Sequence, residues 1–551
     1  MLPSTSAAIF SLLLTTTTLL SLSSSSSLSD DDDSLTYIWP LPANSTSGAD
    51  TLTVDPDLSI SNSGNSPIIS AAFLRYKCII FSHATTVPPG FRSLRTPVFD
   101  ISVVQIVVRS SDEELQFGVD ESYVLRISGR DNHSIVGFAA IEANTVYGAL
   151  RALETFSQLC TFHYESKTVK VMKAPWYIQD EPRFAYRGLL IDTSRHYLPT
   201  DVIKHIIDSM SYAKLNVLHW HIVDEESFPL ETPSYPNLWK GSYSRWERYT
   251  VEDAYEIVKG VGYPDLWPSS SCKEPLDVSK NFTFDVVSGI LTDMGKIFPF
   301  ELFHLGGDEV NTEKQPNYGV RDGLSKNRKT GYMSALRFGF DGDGSDGVDT
   351  LDSPRWLLID HNMTHNDAYQ YFVLRAQEIA ISNNRTPVNW EETFRSFPSK
   401  LNPRTVVHNW LVSGICPKAV AKGFRCIFSN QGVWYLDHLD VPWQPVYEAD
   451  PLEGITNVTQ QKMILGGEVC MWGETADTSD IQQTIWPRAA AAAERLWSTR
   501  EATTVENINK TALPRLHYFR CLLNMRGVQA APLTNFYARR PPTGPGSCYE
   551  Q

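Results

Sequence analysis

The sequence predicts an α/β chain: a (β/α)8 TIM-type barrel preceded by a small α+β domain, with one barrel strand missing. From Arg183 onward, apolar strand-like runs alternate with amphipathic helical stretches, the pattern of parallel β/α units. Almost every run ends in polar or aromatic residues on its C-terminal side, where such barrels carry their active sites. Seven such runs can be counted where a closed barrel needs eight.

The elements follow in order. Ala7 to Leu22 is apolar and precedes a serine tract and four aspartates, so residues 1–28 read as a signal peptide and Ser-rich leader. No later stretch is apolar enough to cross a bilayer. Residues 35–180 carry the strand-like runs "VFDISVVQIVVRS" and "SYVLRISG" and a helix, "NTVYGALRALETFSQLC", with apolar residues at helical spacing. This N-terminal domain offers no cluster of chemical groups and reads as a structural support.

Residues 183–520 make the barrel, with strands at "YRGLLID", "NVLHWHIVD", "FELFHLGGDE", "TPVNWEE", "TVVHNW", "RCIFSNQGVWYLD" and "MILGGEVCMWGE". The amphipathic helix "VEDAYEIV" should lead into a further strand, yet it runs into "KGVGYPDLWPSSS", which is turn chemistry. Residues 313–360 are rich in Gly, Asp and basic residues and lack a sustained period, so they read as an atypical, largely disordered insert. "PRAAAAAERLW" is a tightly packed helix with Pro487 at its start. Residues 521–551 form a C-terminal tail.

With 551 residues, 42% of them hydrophobic, the chain can bury substantial cores. Its net charge of -15 excludes a polyanion as partner, so no nucleic acid is expected. The leader and the N-x-S/T sequons at Asn44, Asn132, Asn281, Asn362, Asn384, Asn457 and Asn509 point to a glycoprotein of the secretory pathway, in a vacuole or lysosome-like compartment or outside the cell. The eight cysteines hold no C-x-x-C spacing, which argues against a zinc ribbon or redox motif. Cys521 with Cys548, bracketing the Pro/Gly-rich tail, is the expected disulfide.

The stretch "HLGGDEV" places two acids, Asp308 and Glu309, at a strand end, where adjacent residues point to opposite faces. A carboxyl among tryptophans can have its pKa raised and serve as proton donor, and Glu309 is the candidate. Most glycosidases need a second carboxylate across the scissile bond. If the sugar carries a 2-acetamido group, its carbonyl oxygen can attack instead, with Asp308 holding the acetamido N–H. The "HWH" at His219 to His221 could hold zinc with further ligands, but neither His304 nor His408 clearly completes a set. No metal and no cofactor are expected.

"HLGGDEV", "RGLLIDTSRHYLP", "KLNVLHWHIVDEESFPLE", "NWEE", "WYLDHLD", "GGEVCMWGE" and "WPRAAAAAERLW" together resemble the family 20 β-N-acetylhexosaminidases, a plant member of the family of lysosomal β-hexosaminidases. The resemblance spans roughly residues 36–312 and 361–551. It implies a retaining, substrate-assisted exo-enzyme that removes terminal β-linked GlcNAc or GalNAc from a glycan or glycoprotein, and a homodimer stays open. Arg195 would anchor sugar hydroxyls, Asp224 would end the second strand, Asp308 would orient the acetamido group, and Glu309 would be general acid and then base. Trp390, Trp410 and Trp472 would wall the pocket, Tyr435 would hydrogen-bond the acetamido carbonyl, and Asp437 and Glu474 would bind hydroxyls.

The sequence also departs from the family. Members carry a strand ending in Asp-x-Pro-Gly-His before the equivalent of "GYPDLWPS", and here Lys259 and Gly260 abut Val261 directly. The insert displaces the cysteine expected after "GGDEVNT", which would leave Cys272 free. An impaired relative that at most binds glycans, produced by altered splicing, is the alternative, and a metal-dependent barrel hydrolase is the second.

Overall fold

The computed structural model describes residues 36–62, 66–83, 99–130, 137–224, 226–256, 281–297, 300–308, 363–503 and 506–534. The leader at 1–28, Glu309, the insert at 313–360, Cys272, Cys548, Asn132 and Asn362 lie outside them.

The N-terminal part is a mixed sheet of β1 (Asn44–Asn62), β2 (Ile101–Val108), β3 (Tyr123–Ile127), β4 (Gly137–Ala143), β5 (Cys160–His163) and β6 (Thr168–Asp180), in the order β1-β2-β4-β3-β6-β5 with β1 also paired to β6. Alternation along β3, with Tyr123, Leu125 and Ile127 buried, puts one face on the core. Two helices cover it: α1 (Pro67–Ile80), capped by Ser66, and α2 (Val146–Leu159), capped by Thr145.

The second sheet contains β7 (Tyr186–Asp192), β8 (Val217–His221), β9 (Leu302–His304), β10 (Thr386–Trp390), β11 (Val406–Asn409), β12 (Arg425–Phe428) and β13 (Ile464–Met471). All its pairings are parallel, in the order β8-β7-β13-β12-β11-β10-β9. Every residue of β7 and β13 is buried, as expected of strands covered on both faces. Crossover helices include α3 (Thr200–Tyr212), α4 (Val251–Glu256), α5 (Asn281–Ile297), α6 (His365–Ser382), α7 (Glu391–Ser396), α8 (Ile415–Ala421), α9 (Gln431–Trp434) and α10 (Trp443–Glu448). The predicted alanine helix is α11 (Arg488–Trp497), and its alanines are wholly buried, so it seats close against the barrel. The last helix is α12 (Leu513–Met525).

Among the described residues the second sheet has seven strands and does not close, since β8 and β9 are its edges. The gap falls where the sequence is expected to lack a strand, and residues 257–280 there lie outside the described set. "VEDAYEIV" is helical over α4, and the residues after Glu256 lie outside the described set up to Asn281.

Polar side chains knit the two sheets together. Buried Lys214 reaches Asp180 Oδ2 and the Tyr123 hydroxyl, each at 2.9 Å, and Trp497 Nε1 donates to the same Asp180 carboxylate. Arg187, on β7, pairs with Glu121 at 2.5 Å. Burial would raise the Glu121 carboxyl, but Arg187 and Arg151 override it and hold it at about 2. The N-terminal sheet, expected to offer no cluster of chemical groups, therefore contributes half of a buried ionic junction.

The cysteine expectation needs an addition. Cys416 and Cys426 form a disulfide that the spacing did not suggest. Cys521 is disulfide-bonded, with its expected partner Cys548 outside the described residues. The sequon asparagines 44, 281, 384, 457 and 509 are all exposed. No helix among the described residues is long and apolar enough to cross a membrane.

Candidate active site

The chemistry collects just past the C-terminal ends of the parallel strands. Arg195 lies three residues beyond β7, Asp224 three beyond β8, and Asp308 four beyond β9. Trp390 ends β10, Trp410 follows β11, Trp472 follows β13, and Tyr435 is bridged to Cys470 of β13. The three tryptophans and Tyr435 form one buried cluster. Trp410 and Tyr435 stack at 6.2 Å, Tyr435 and Trp472 lie 6.0 Å apart, and Trp472 and Trp390 6.1 Å. Four strand ends thus build an aromatic box.

Two glycines turn the chain from β9 toward that box. Gly306 and Gly307 have φ of 67° and 100°, a region that a side chain would oppose. The turn is pinned on several sides. Trp390 N and Asn389 Nδ2 donate to Gly306 O, and the Tyr369 hydroxyl donates to Gly307 O at 2.6 Å. Asp308 is consequently buried beside the box, and its charge contributes to raising the Tyr435 hydroxyl, a shift led by burial. Glu309, the expected proton donor, is outside the described residues.

Arg195 is set by four carboxylates. Its Nη1 meets Asp192 at 2.9 Å and Glu474 at 3.5 Å, Nη2 meets Asp224 at 2.7 Å, and Nε meets Glu226 at 3.0 Å. Burial opposes its charge, but Asp192, Asp224 and Glu474 hold the guanidinium more firmly protonated than usual. A guanidinium has five N–H donors, and these carboxylates brace the fork from several sides. His221 donates to Asp224 at 2.8 Å, and that bond keeps the imidazole pKa above its ordinary value despite burial. Asp192 and Glu226 are site residues that sequence reading missed, and His221, weighed there as a zinc ligand, braces Asp224.

Asp437 and Glu474, the latter beside Arg195, present acceptors. Glu474 Oε1 and Oε2 and Asp437 Oδ1 take no hydrogen bond among the described residues. Burial pushes the Glu474 carboxyl up to about 8, with Arg195 opposing, and burial likewise raises Asp437. Glu392, the residue after the "NWE" of β10 and α7, was also missed. Its two oxygens accept the Trp410 indole N–H at 3.1 and 3.0 Å, and burial plus the Asp308 charge push it up to about 8. Its signal was present in "NWEE", but only the fold brings it beside Asp308.

Below the box lies a histidine cluster. Donor atoms of His219, His408 and Glu468 fall within 4.8 Å of one another, so His408 does join His219, contrary to the sequence expectation. These atoms are already engaged. Glu468 accepts from His219 at 2.8 Å and from the Tyr186 hydroxyl at 2.6 Å, and His408 Nε2 meets Ser429 Oγ at 2.9 Å. A metal would have to displace those bonds, between buried His408 and Glu468 and half-buried His219.

Comparison with known proteins accounts for this arrangement. Residues 184–261 and 265–500 match the glycosyl hydrolase family 20 catalytic domain, and residues 38–159 match a β-acetyl hexosaminidase-like domain. The chain is 63% identical to β-hexosaminidase 1 of Arabidopsis thaliana over 543 residues, covering 94% of each chain. It is 30% identical to the human β-hexosaminidase subunit beta over 540 residues, covering 90% of this chain and 88% of that one. Among solved structures, a Flavobacterium johnsoniae chitobiase superposes with a TM-score of 0.70 at 26% identity, covering 90% of this chain and 74% of that one. A Vibrio harveyi exo-β-N-acetylglucosaminidase in complex with N-acetylglucosamine shares the fold with a TM-score of 0.69 at 19% identity, covering 90% and 78%. With strand-end carboxylates, an aromatic box and a matching catalytic domain, the chain belongs to glycosyl hydrolase family 20.

Proposed function

We propose that the protein is an exo-β-N-acetylhexosaminidase that releases terminal β-linked GlcNAc or GalNAc from glycans with retention of configuration. The observation that carries this reading is the aromatic box with Asp308 at its wall and the Asp437 and Glu474 carboxyls beside it. A sugar ring stacks on Trp472 and its neighbours, with Arg195, Asp437 and Glu474 meeting its hydroxyls. The 2-acetamido oxygen then attacks the anomeric carbon while Glu309 protonates the departing oxygen, the substrate-assisted course of this family. Asp308 accepts the acetamido N–H and balances the positive charge that develops on the cyclised amide. Tyr435 donates to the acetamido oxygen and aims it. Water, deprotonated by Glu309, opens the ring in the second step.

The exposed sequons support a glycosylated protein of the secretory route. An acidic lumen fits a pocket whose Glu392 and Glu474 keep protons up to about pH 8.

Turnover of a chromogenic N-acetylglucosaminide at mildly acidic pH tests the reading. Glu309→Gln and Asp308→Asn should each lower kcat by about 10²–10⁴-fold. Wild-type turnover no higher than that of Glu309→Gln would sink it. Among the described residues the sheet is open between β8 and β9, which favours a second reading, a glycan-binding relative without turnover. Saturable binding of N-acetylglucosamine with no hydrolysis would establish that one.

A further inference from the structure

The amide of Gly306 is held by a side chain of its own strand: it donates to His304 Nδ1 at 3.0 Å. A backbone N–H can only donate, so His304 Nδ1 carries the lone pair and its proton sits on Nε2. That Nε2 faces His408 Nδ1 at 3.2 Å, which must therefore accept. The proton of His408 is then on Nε2, which meets Ser429 Oγ at 2.9 Å. Ser429 in turn donates its hydroxyl proton to Asn409 O at 2.8 Å. Every donor and acceptor along this line is assigned by the first, and the line runs one way.

We propose that His304 and His408 are positioning residues of the hexosaminidase reaction: an uncharged, one-way hydrogen-bond relay from Gly306 to Ser429 that fixes the turn carrying Asp308. The inference rests on the proposed function. A proton added at His304 Nδ1 would face the Gly306 N–H, and one added at His408 Nδ1 would face the His304 Nε2–H. Either cation breaks the relay at a joint of the turn. The groups around it are His219 and His221 from β8, Tyr186 from β7, and Glu468 and Cys470 from β13, with Asp308 beyond the turn. Burial holds both imidazoles below the histidine range, His408 at about 3, with His219 adding to the effect on each. Glu468 is 3.7 Å from His408 Nε2, but its short bonds go to His219 and Tyr186. Trp390 stacks on the His408 ring at 4.3 Å, so the relay also sets the box wall from below.

Two measurements on the full chain test the proposal. In protein labelled with 15N-histidine and assigned with single-histidine variants, both side chains should remain neutral Nε2–H tautomers from pH 8 down to pH 4.5. An imidazolium or an Nδ1–H form of either overturns the relay. His408→Leu, which removes both bonds, should lower kcat at least tenfold while KM stays within twofold. His408→Asn places Oδ1 where Nδ1 was, still accepts from His304, and should recover kcat to within threefold of wild type. Equal losses in the two variants, or no loss in a folded Leu variant, would overturn it. Should the Leu variant fail to fold, the labelling result decides. A wild-type chain without turnover would refute the proposed function alone, because the tautomers are read without substrate.

Discussion

Glu392 and Glu474 are half-buried acids whose pKa values are pushed up to about 8 from the ordinary 4.5. Each binds a proton in the folded chain that it releases in the unfolded one, so stability rises as pH falls from 8. His221, raised by Asp224, acts in the same direction. His304, His408 and His517 act the other way: their folded pKa values are depressed, so below pH 6.5 the unfolded chain takes up their protons. Calorimetry should therefore show the melting temperature climbing between pH 8 and 6.5 and levelling or turning below that. Glu392→Gln with Glu474→Gln should flatten the first limb and leave the second, and an unchanged first limb would count against the assignment. At this scale Asp308 and the box aromatics were legible, because each lies in a short motif at a strand end. Glu392 and the histidine relay were not, because Trp410, His408 and Ser429 reach them from other strands.

Strands were the most legible elements. "YRGLLID" is β7 residue for residue, since both faces are buried and its two charged residues, Arg187 and Asp192, are each paired. The other runs extend past their strands, because the tails carry the site: "TPVNWEE" gives its two glutamates to α7, and "RCIFSNQGVWYLD" turns into α9 after Phe428. The Cys416–Cys426 link joins the start of α8 to β12, a proximity made by the α/β unit and not by any cysteine motif. Glycine also fixes one strand contact. At Gly466, φ is 142° and an added Cβ would stand 1.9 Å from Tyr186 O, on the strand that β13 pairs with. Gly466→Ala should cost about 1–3 kcal/mol for the backbone conformation and about as much again for overpacking. Denaturant unfolding measures the loss. A midpoint within error of wild type would mean that β7 and β13 can part without penalty.

At the scale of the whole molecule, the junction at Asp180 decides whether the two sheets unfold together. Lys214→Met would leave Asp180 buried without its cation, at a cost of about 3–5 kcal/mol. The Tyr123 hydroxyl and Trp497 indole would remain as its donors. A single thermal transition in the wild type should split into two in the variant, with the N-terminal sheet melting first. Persistence of one transition would show that apolar packing alone joins the parts. The seven strands among the described residues were legible because strand patterns are local. The ionic junction was not, since its members come from residues 121 to 497.

The pairing of β7 with β13 carries one more consequence, for synthesis. The first strand of the barrel finds its inner neighbour only when residues 464–471 have been made. Trp39, among the first described residues, donates to Ala490 O on α11, and Ile38 O accepts from Arg515 on α12. Contacts of such long sequence separation slow folding. A ribosome reading this message therefore holds an unfinished barrel until late in synthesis, and a chain stopped short of α11 would be released with its opening segment unclasped.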